Sequence, residues 1–163
     1  YFADLKKMGV PFLPYETYGR SPLENSSFLV SSANFNEKIH GKGFVARLSG
    51  STAEFLQMWE LMMNGEKLFT MQDGTLTFKL APAIPAYLVK DDGKVETTLF
   101  GKIKVVYDCG SKRDLIPGQY AVRKYELVAA DGSIESCEAA TVSGEAAQRI
   151  RDGKVAEIRV TIQ

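Results

Sequence analysis

The feature that most constrains this chain is a change of hydrophobic period near residue 68. Before it, Phe55, Leu56, Trp59, Met62 and Met63 recur at three- and four-residue spacing, the core stripe of an amphipathic helix. After it, apolar residues alternate, as in Leu76, Phe78 and Leu80, then Val95, Thr97 and Leu99, then Ile103, Val105 and Tyr107. A period of two serves one face of a strand and a period of 3.6 one face of a helix. The chain therefore divides, at residues 65–72, into a loop-and-helix part over 1–67 and a β part over 68–163.

The turn signals in the β part fit short strands. Asp73-Gly74, Asp91-Asp92-Gly93 and Ala130-Asp131-Gly132 each punctuate alternating runs, and the last joins Tyr120–Ala129 to Ile134–Cys137 as a hairpin. Ile84 to Val89 reads as a further strand. Residues 144–151 predict one short helix with Ala146, Ala147 and Ile150 inward. A last strand follows Gly153, burying Val155, Ile158, Val160 and Ile162, with a bulge in the step from 155 to 158. About seven short strands in this arrangement predict an antiparallel β-sandwich or barrel-like domain. No alternation of strands with long helices supports a parallel α/β sheet.

The first part is less regular. Phe2 to Lys7 reads as the tail of a helix, ending near Gly9 in a left-handed C-cap. Pro11 and Pro14 then forbid a regular helix through Phe12 and Tyr15. From Gly19 to Ala33 the chain is rich in Ser and Asn and reads as a long loop, packed through Phe12, Tyr15, Tyr18 and Phe28. Phe44, Ala46 and Leu48 alternate as a short strand. Ser51 or Thr52 then caps a helix over about 52–64, with Glu54 in its first turn and Gly65 as its stop.

Composition narrows the function classes. Lys plus Arg equals Asp plus Glu at 20 each, which gives no electrostatic reason to expect nucleic acid or an anionic membrane as partner. No apolar run approaches the roughly 20 residues that span a bilayer. Cys109 and Cys137 have neither CxxC spacing nor a histidine cluster, so both read as inert buried thiols and no metal is expected. A cytoplasmic location is compatible with this. Tyr1-Phe2-Ala3-Asp4-Leu5 reads as a chain met in mid-protein, and a fragment of a longer polypeptide is the expectation.

Few residues gather chemistry. Leu48-Ser49-Gly50-Ser51-Thr52 places hydroxyls and free N–H groups at a helix start, with Arg47 beside them. That composition suits an anion, and it equally suits a plain helix cap; both readings stay open. Arg20, Glu24 and Asn25 lie in a segment with binding-loop composition, which also fits a rigid surface loop pinned by Pro22. His40 stands alone in a Gly/Lys loop, either exposed or touching substrate. Asp4, Glu16, Glu24 and Glu37 have no partner at helical spacing, so the paired carboxylates of glycoside hydrolysis are not evident. Asp91, Asp92 and Asp131 read as turn residues.

Arg47 to Glu54, followed by Trp59, resembles the end of the helical barrel in cellobiose-phosphorylase-like enzymes, the inverting glycoside phosphorylases of glycoside hydrolase family 94 type. Gly74 to Pro82, Ile84-Pro85, Phe100-Gly101 and Val105-Val106-Tyr107 are similar to the strands that follow it in that family. The resemblance implies a helix from the end of an (α/α)6 barrel and a C-terminal jelly-roll-like domain. It further implies a parent enzyme that cleaves a disaccharide with inorganic phosphate to sugar 1-phosphate. By the same resemblance Ser49, Gly50 and Ser51 contact phosphate, while Arg20, Glu24, Asn25, His40 and Arg47 lie at the pocket edge. The family's general acid, an upstream aspartate, has no counterpart here, so the fragment is expected to be inactive alone and to need no cofactor beyond phosphate as co-substrate. The partners implied are the rest of the parent polypeptide, carbohydrate and a second copy in a homodimer.

The rival expectation is a β-sandwich module without chemistry. It would either bind sugar on a row of exposed Tyr107, Tyr120 and Tyr125 or act as a purely structural cap.

Overall fold

Proline sets the local structure where the chain begins. The computed structural model describes residues 1–9, 13–18, 26–46 and 50–163. Helix α1 (Phe2–Met8) ends at Gly9, whose φ of −72° is right-handed, so the left-handed cap expected there does not form. Pro14 carries no N–H yet offers its carbonyl to Thr17 N at 2.9 Å, which starts the single turn α2 (Tyr15–Tyr18). A long helix is excluded as expected, but one turn is not.

The segment read as a long loop contains a strand. β1 (Ser26–Leu29) pairs antiparallel with β2 (Gly43–Ala46) in an irregular register, Ser26 against Ala46 and Leu29 against Gly43. Ser and Asn hide strands from composition, because they favour turns when unpaired. Helix α3 (Gly50–Asn64) begins two residues before the expected start, so Ser51 and Thr52 lie inside its first turn rather than at its cap. The chain forms two compact units, Tyr1–Trp59 and Glu60–Gln163, divided within α3.

The second unit is mainly β. β3 (Phe69–Gln72) and β4 (Thr75–Phe78) form a hairpin through Asp73 and Gly74, at φ 49° and 76°. Two successive left-handed residues are what a two-residue hairpin turn requires. β5 (Lys94–Leu99), β6 (Ile103–Asp108), β7 (Val122–Val128) and β8 (Ile134–Cys137) follow, then β9 (Val142–Ser143), α4 (Glu145–Arg151) and β10 (Glu157–Ile162). A five-stranded sheet runs in the order β5-β6-β10-β7-β8 and a three-stranded sheet in the order β3-β4-β9.

The larger sheet is mixed, which corrects the expectation of a purely antiparallel one. β10 is antiparallel to β7 but parallel to β6. A parallel neighbour needs a crossover connection, and the segment carrying β9 and α4 brings the chain back before β10 enters between β6 and β7. The bulge also lies elsewhere: Val155 is in the loop before β10, and the register shifts between Thr161 and Ile162.

Ile84 to Val89 is not a strand either. Pro82 and Pro85 remove two ladder donors. Ile84 makes only an isolated bridge to Leu115, and Ala86–Leu88 is a 3₁₀ turn whose Ala86 N–H donates to Asp114 Oδ1 at 2.7 Å.

The core lies between the layers. Leu99, Ile103, Val105, Tyr107, Tyr125 and Ile158 of the large sheet are fully buried, as are Phe78 of the small one and Leu80 just beyond its strand β4. Phe78 meets Tyr125 edge to face, with ring centroids 6.1 Å apart. Ala146, Ala147 and Ile150 of α4 are buried, as their spacing predicts, and so are Val155, Ile158, Val160 and Ile162.

Candidate functional site

Most residues proposed from sequence as a phosphate pocket lie outside the described residues: Arg20, Glu24, Asn25, Arg47 and Ser49. Gly50 and Ser51 are the first two residues of α3. His40 is described and half-buried. Its Nε2 lies 2.7 Å from the Asn34 carbonyl oxygen, so one ring nitrogen is engaged in bracing its own loop. That loop is held by nested side-chain turns: Asn36 N–H donates to Asn34 Oδ1 at 2.9 Å and Lys38 N–H to Asn36 Oδ1 at 3.2 Å.

A buried polar construction in the second unit lies at the end of α3. A helix leaves its last four carbonyls without helical donors, and here each finds one. Gly65 N–H donates to Leu61 O at 2.8 Å, Ala83 N–H to Met62 O at 2.7 Å and Ala81 N–H to Asn64 O at 3.0 Å. The fourth, Met63 O, accepts from the Tyr107 hydroxyl at 2.7 Å. Met62, Met63 and Asn64 are all buried.

Three tyrosines of this unit act on two backbone stretches that are hydrogen-bonded to each other, the end of α3 and residues 80–82. Besides Tyr107 on Met63, the Tyr120 hydroxyl donates to Pro82 O at 2.7 Å, and Tyr125 Oη accepts from Leu80 N–H at 3.0 Å. Burial raises the ionisation of all three phenols: Tyr125 is pushed up to about 12, and Tyr107 and Tyr120 move up by the same cause. Tyr107 and Tyr125 are completely buried and Tyr120 half-buried. The exposed tyrosine row expected for a sugar-stacking face is therefore absent. The signal lay in the alternation, since Tyr107 falls on the inward parity with Ile103 and Val105, and a buried phenol needs a partner.

The opposite face of the large sheet carries charge. Lys90 lies 3.1 Å from Glu96, Lys104 3.5 Å from Glu96 and 3.9 Å from Glu157, and Arg159 2.5 Å from Glu157. The series continues from Arg159 to Glu126 at 3.9 Å, Lys124 to Glu126 at 2.9 Å and Lys124 to Glu138 at 3.3 Å. Hydrogen bonding from Lys90, then the field of Lys104, lowers the Glu96 carboxyl; Lys124 does the same for Glu126. Acids and bases alternate across the strands, so this face presents no field of one sign.

Three cavities among the described residues gather little that could react. One of about 510 Å³ is lined by Met71, Leu76, Glu145, Gln148 and Arg151 among others. Another, of about 340 Å³, lies beside Lys79, Pro117 and Tyr120, and one of about 300 Å³ contains Glu135 already paired with Arg149. Among the described residues no group of three His, Cys, Asp or Glu side chains is placed to hold a metal ion. The Cys109 thiol, raised to about 11 by burial and then by Asp108, is held in its unreactive form. No described helix is long and apolar enough to cross a membrane. Compared with known protein families, with curated proteins and with solved structures, the chain matches none.

Proposed function

We propose that this chain serves as a structural β module, whose task is to seat and cap the end of a helix, and that it performs no chemistry alone. The observation that carries this reading is the junction at Met62–Gly65. Every terminal carbonyl of α3 is satisfied there, one by a buried tyrosine hydroxyl of the large sheet. A module that bound sugar on Tyr107, Tyr120 and Tyr125 would expose them, whereas here these three phenols hydrogen-bond to the backbone.

The sequence resemblance adds a context. In it the module is the jelly-roll-like C-terminal domain of an enzyme resembling inverting disaccharide phosphorylases, and α3 closes that enzyme's (α/α)6 barrel. Ser49, Gly50 and Ser51 then contact phosphate, with Arg20, Glu24, Asn25, His40 and Arg47 at the pocket edge. The partners are the barrel and, through it, carbohydrate.

The test is to incubate the 163-residue chain with β-linked disaccharides and inorganic phosphate and to assay sugar 1-phosphate. No release is expected. Release that disappears on Ser49→Ala would overturn the structural reading and make the chain itself a catalyst. In parallel, hydrogen exchange on Tyr107→Phe is expected to expose the amides of residues 60–65 first, while the strands of the large sheet stay protected.

A further inference from the structure

Sheet edges attract other strands unless something deters them, and the edges of the second unit differ in this respect. β5 carries Lys94 and Glu96, β8 carries Glu135 in its ion pair with Arg149, and β9 is only two residues long. β3 reads Phe69-Thr70-Met71-Gln72, with no charge and no proline, and it is the outer strand of its sheet. Its one described ladder is to β4.

The register of that ladder fixes which groups are open. The two-residue turn makes Gln72 and Thr75 a hydrogen-bonded pair, and hence Thr70 and Thr77 another. Lys79 N–H donating to Leu68 O at 2.9 Å continues the same parity. The N–H and C=O groups of Phe69 and Met71 therefore point away from β4. Met71 is 64% exposed, and beside it Phe69 stacks on Phe100, which is 46% exposed, with ring centroids 6.2 Å apart.

We propose that this edge pairs with itself, joining two copies of the chain through antiparallel β3 strands about a two-fold axis at Thr70. The occupant follows from the sequence along the edge. With Thr70 facing Thr70 of the second copy, Phe69 falls opposite Met71, while Lys67, just before β3, comes to the same strand end as the turn residue Asp73 of the second copy, and the symmetry repeats both. Thioether against aromatic ring is favourable across strands, and an ammonium near a carboxylate at each strand end adds to it. Among the described residues neither Lys67 nor Asp73 makes an ion pair within its own chain. The four outward groups of Phe69 and Met71 gain ladder partners in the same register, so the two small sheets merge into one. A self-complementary patch of this kind is what a two-fold interface demands. The inference does not rest on the structural role proposed above.

Sedimentation of the 163-residue chain over a concentration series tests it, with hydrogen exchange followed at the Phe69 and Met71 amides. The expected result is a doubling of mass with rising concentration, accompanied by protection of those two amides. Met71→Lys, which places a charge on the edge, is expected to stay monomeric with an unchanged melting temperature. Lys67→Glu is expected to weaken the dimer, and adding Asp73→Lys to restore it. A wild-type chain that stays monomeric throughout would overturn the proposal, as would Met71→Lys dimerising as well as wild type.

Discussion

Gly65 is the residue on which the helix–sheet junction depends. Its φ is 97°, and a Cβ there would lie 3.0 Å from the Ala81 Cβ and 3.1 Å from the Ala81 nitrogen. Gly132 has a similar φ of 85° but open space around it. Left-handed backbone costs an L-residue about 1–2 kcal/mol, so Gly132→Ala is expected to lose about that much stability in a denaturant titration. Gly65→Ala is expected to lose clearly more, because Ala81 and its backbone must also shift. Equal losses would mean the close approach is relieved at no cost. A second comparison concerns the phenols. Tyr107→Phe leaves the buried Met63 carbonyl unpaired, at a cost of about 1–3 kcal/mol. Tyr120→Phe frees the carbonyl of buried Pro82, but beside a half-buried phenol rather than a fully buried one, and a smaller loss is expected.

Among the elements, the β5–β6 hairpin sets turn chemistry against packing. Phe100 and Gly101 form its turn at φ 53° and 69°, and a bulky residue with positive φ is strained. The ring is kept there by stacking on Phe69, which in turn lies 5.1 Å from Phe78. Phe100→Asn relaxes the turn and removes the stack, so the two terms oppose each other and the melting temperature is expected to change little. Phe100→Val keeps the strain without the ring and is expected to melt clearly lower. The same contest explains what could be read in advance. Hairpins closed by Asp-Gly, helix α4 and the buried parity of β10 follow from local period and turn chemistry, which need only neighbouring residues. The parallel pairing of β10 with β6 depends on residues about fifty positions apart, and no local pattern encodes it. β1 was hidden by Ser26 and Ser27, which become strand residues only once β2 is beside them. Of the proposed phosphate residues, Gly50 and Ser51 are placed at the start of α3, while Ser49 lies outside the described residues. The tyrosine cluster was legible as inward parity but not as hydrogen bonding, because its acceptors come from Met63 and Pro82, distant in sequence.

At the scale of the whole molecule, the balance of 20 basic and 20 acidic residues is expressed on the outer sheet face as alternating pairs. Exposed pairs of this sort contribute little each and are screened by salt. The charge that matters more for stability is the one the core refuses. Tyr107, Tyr120 and Tyr125 all ionise at higher pH in the folded chain than in an unfolded one, where phenols titrate near about 10. Between those values the folded state binds more protons than the unfolded state, so stability falls as pH rises. Their contribution is complete below about pH 10 and is lost progressively above it, through the Tyr125 value of about 12 and beyond. Cys109, raised to about 11, begins the same loss nearer pH 9, its unfolded value. Absorbance of tyrosinate followed with far-ultraviolet circular dichroism is therefore expected to rise in two stages, the later one coinciding with loss of β signal. Tyr107→Phe is expected to shrink that later stage, since one phenol fewer is released on unfolding. A single smooth rise with the β signal intact would mean that solvent reaches these hydroxyls in the folded chain, and that the junction at α3 is far looser than its hydrogen bonds require.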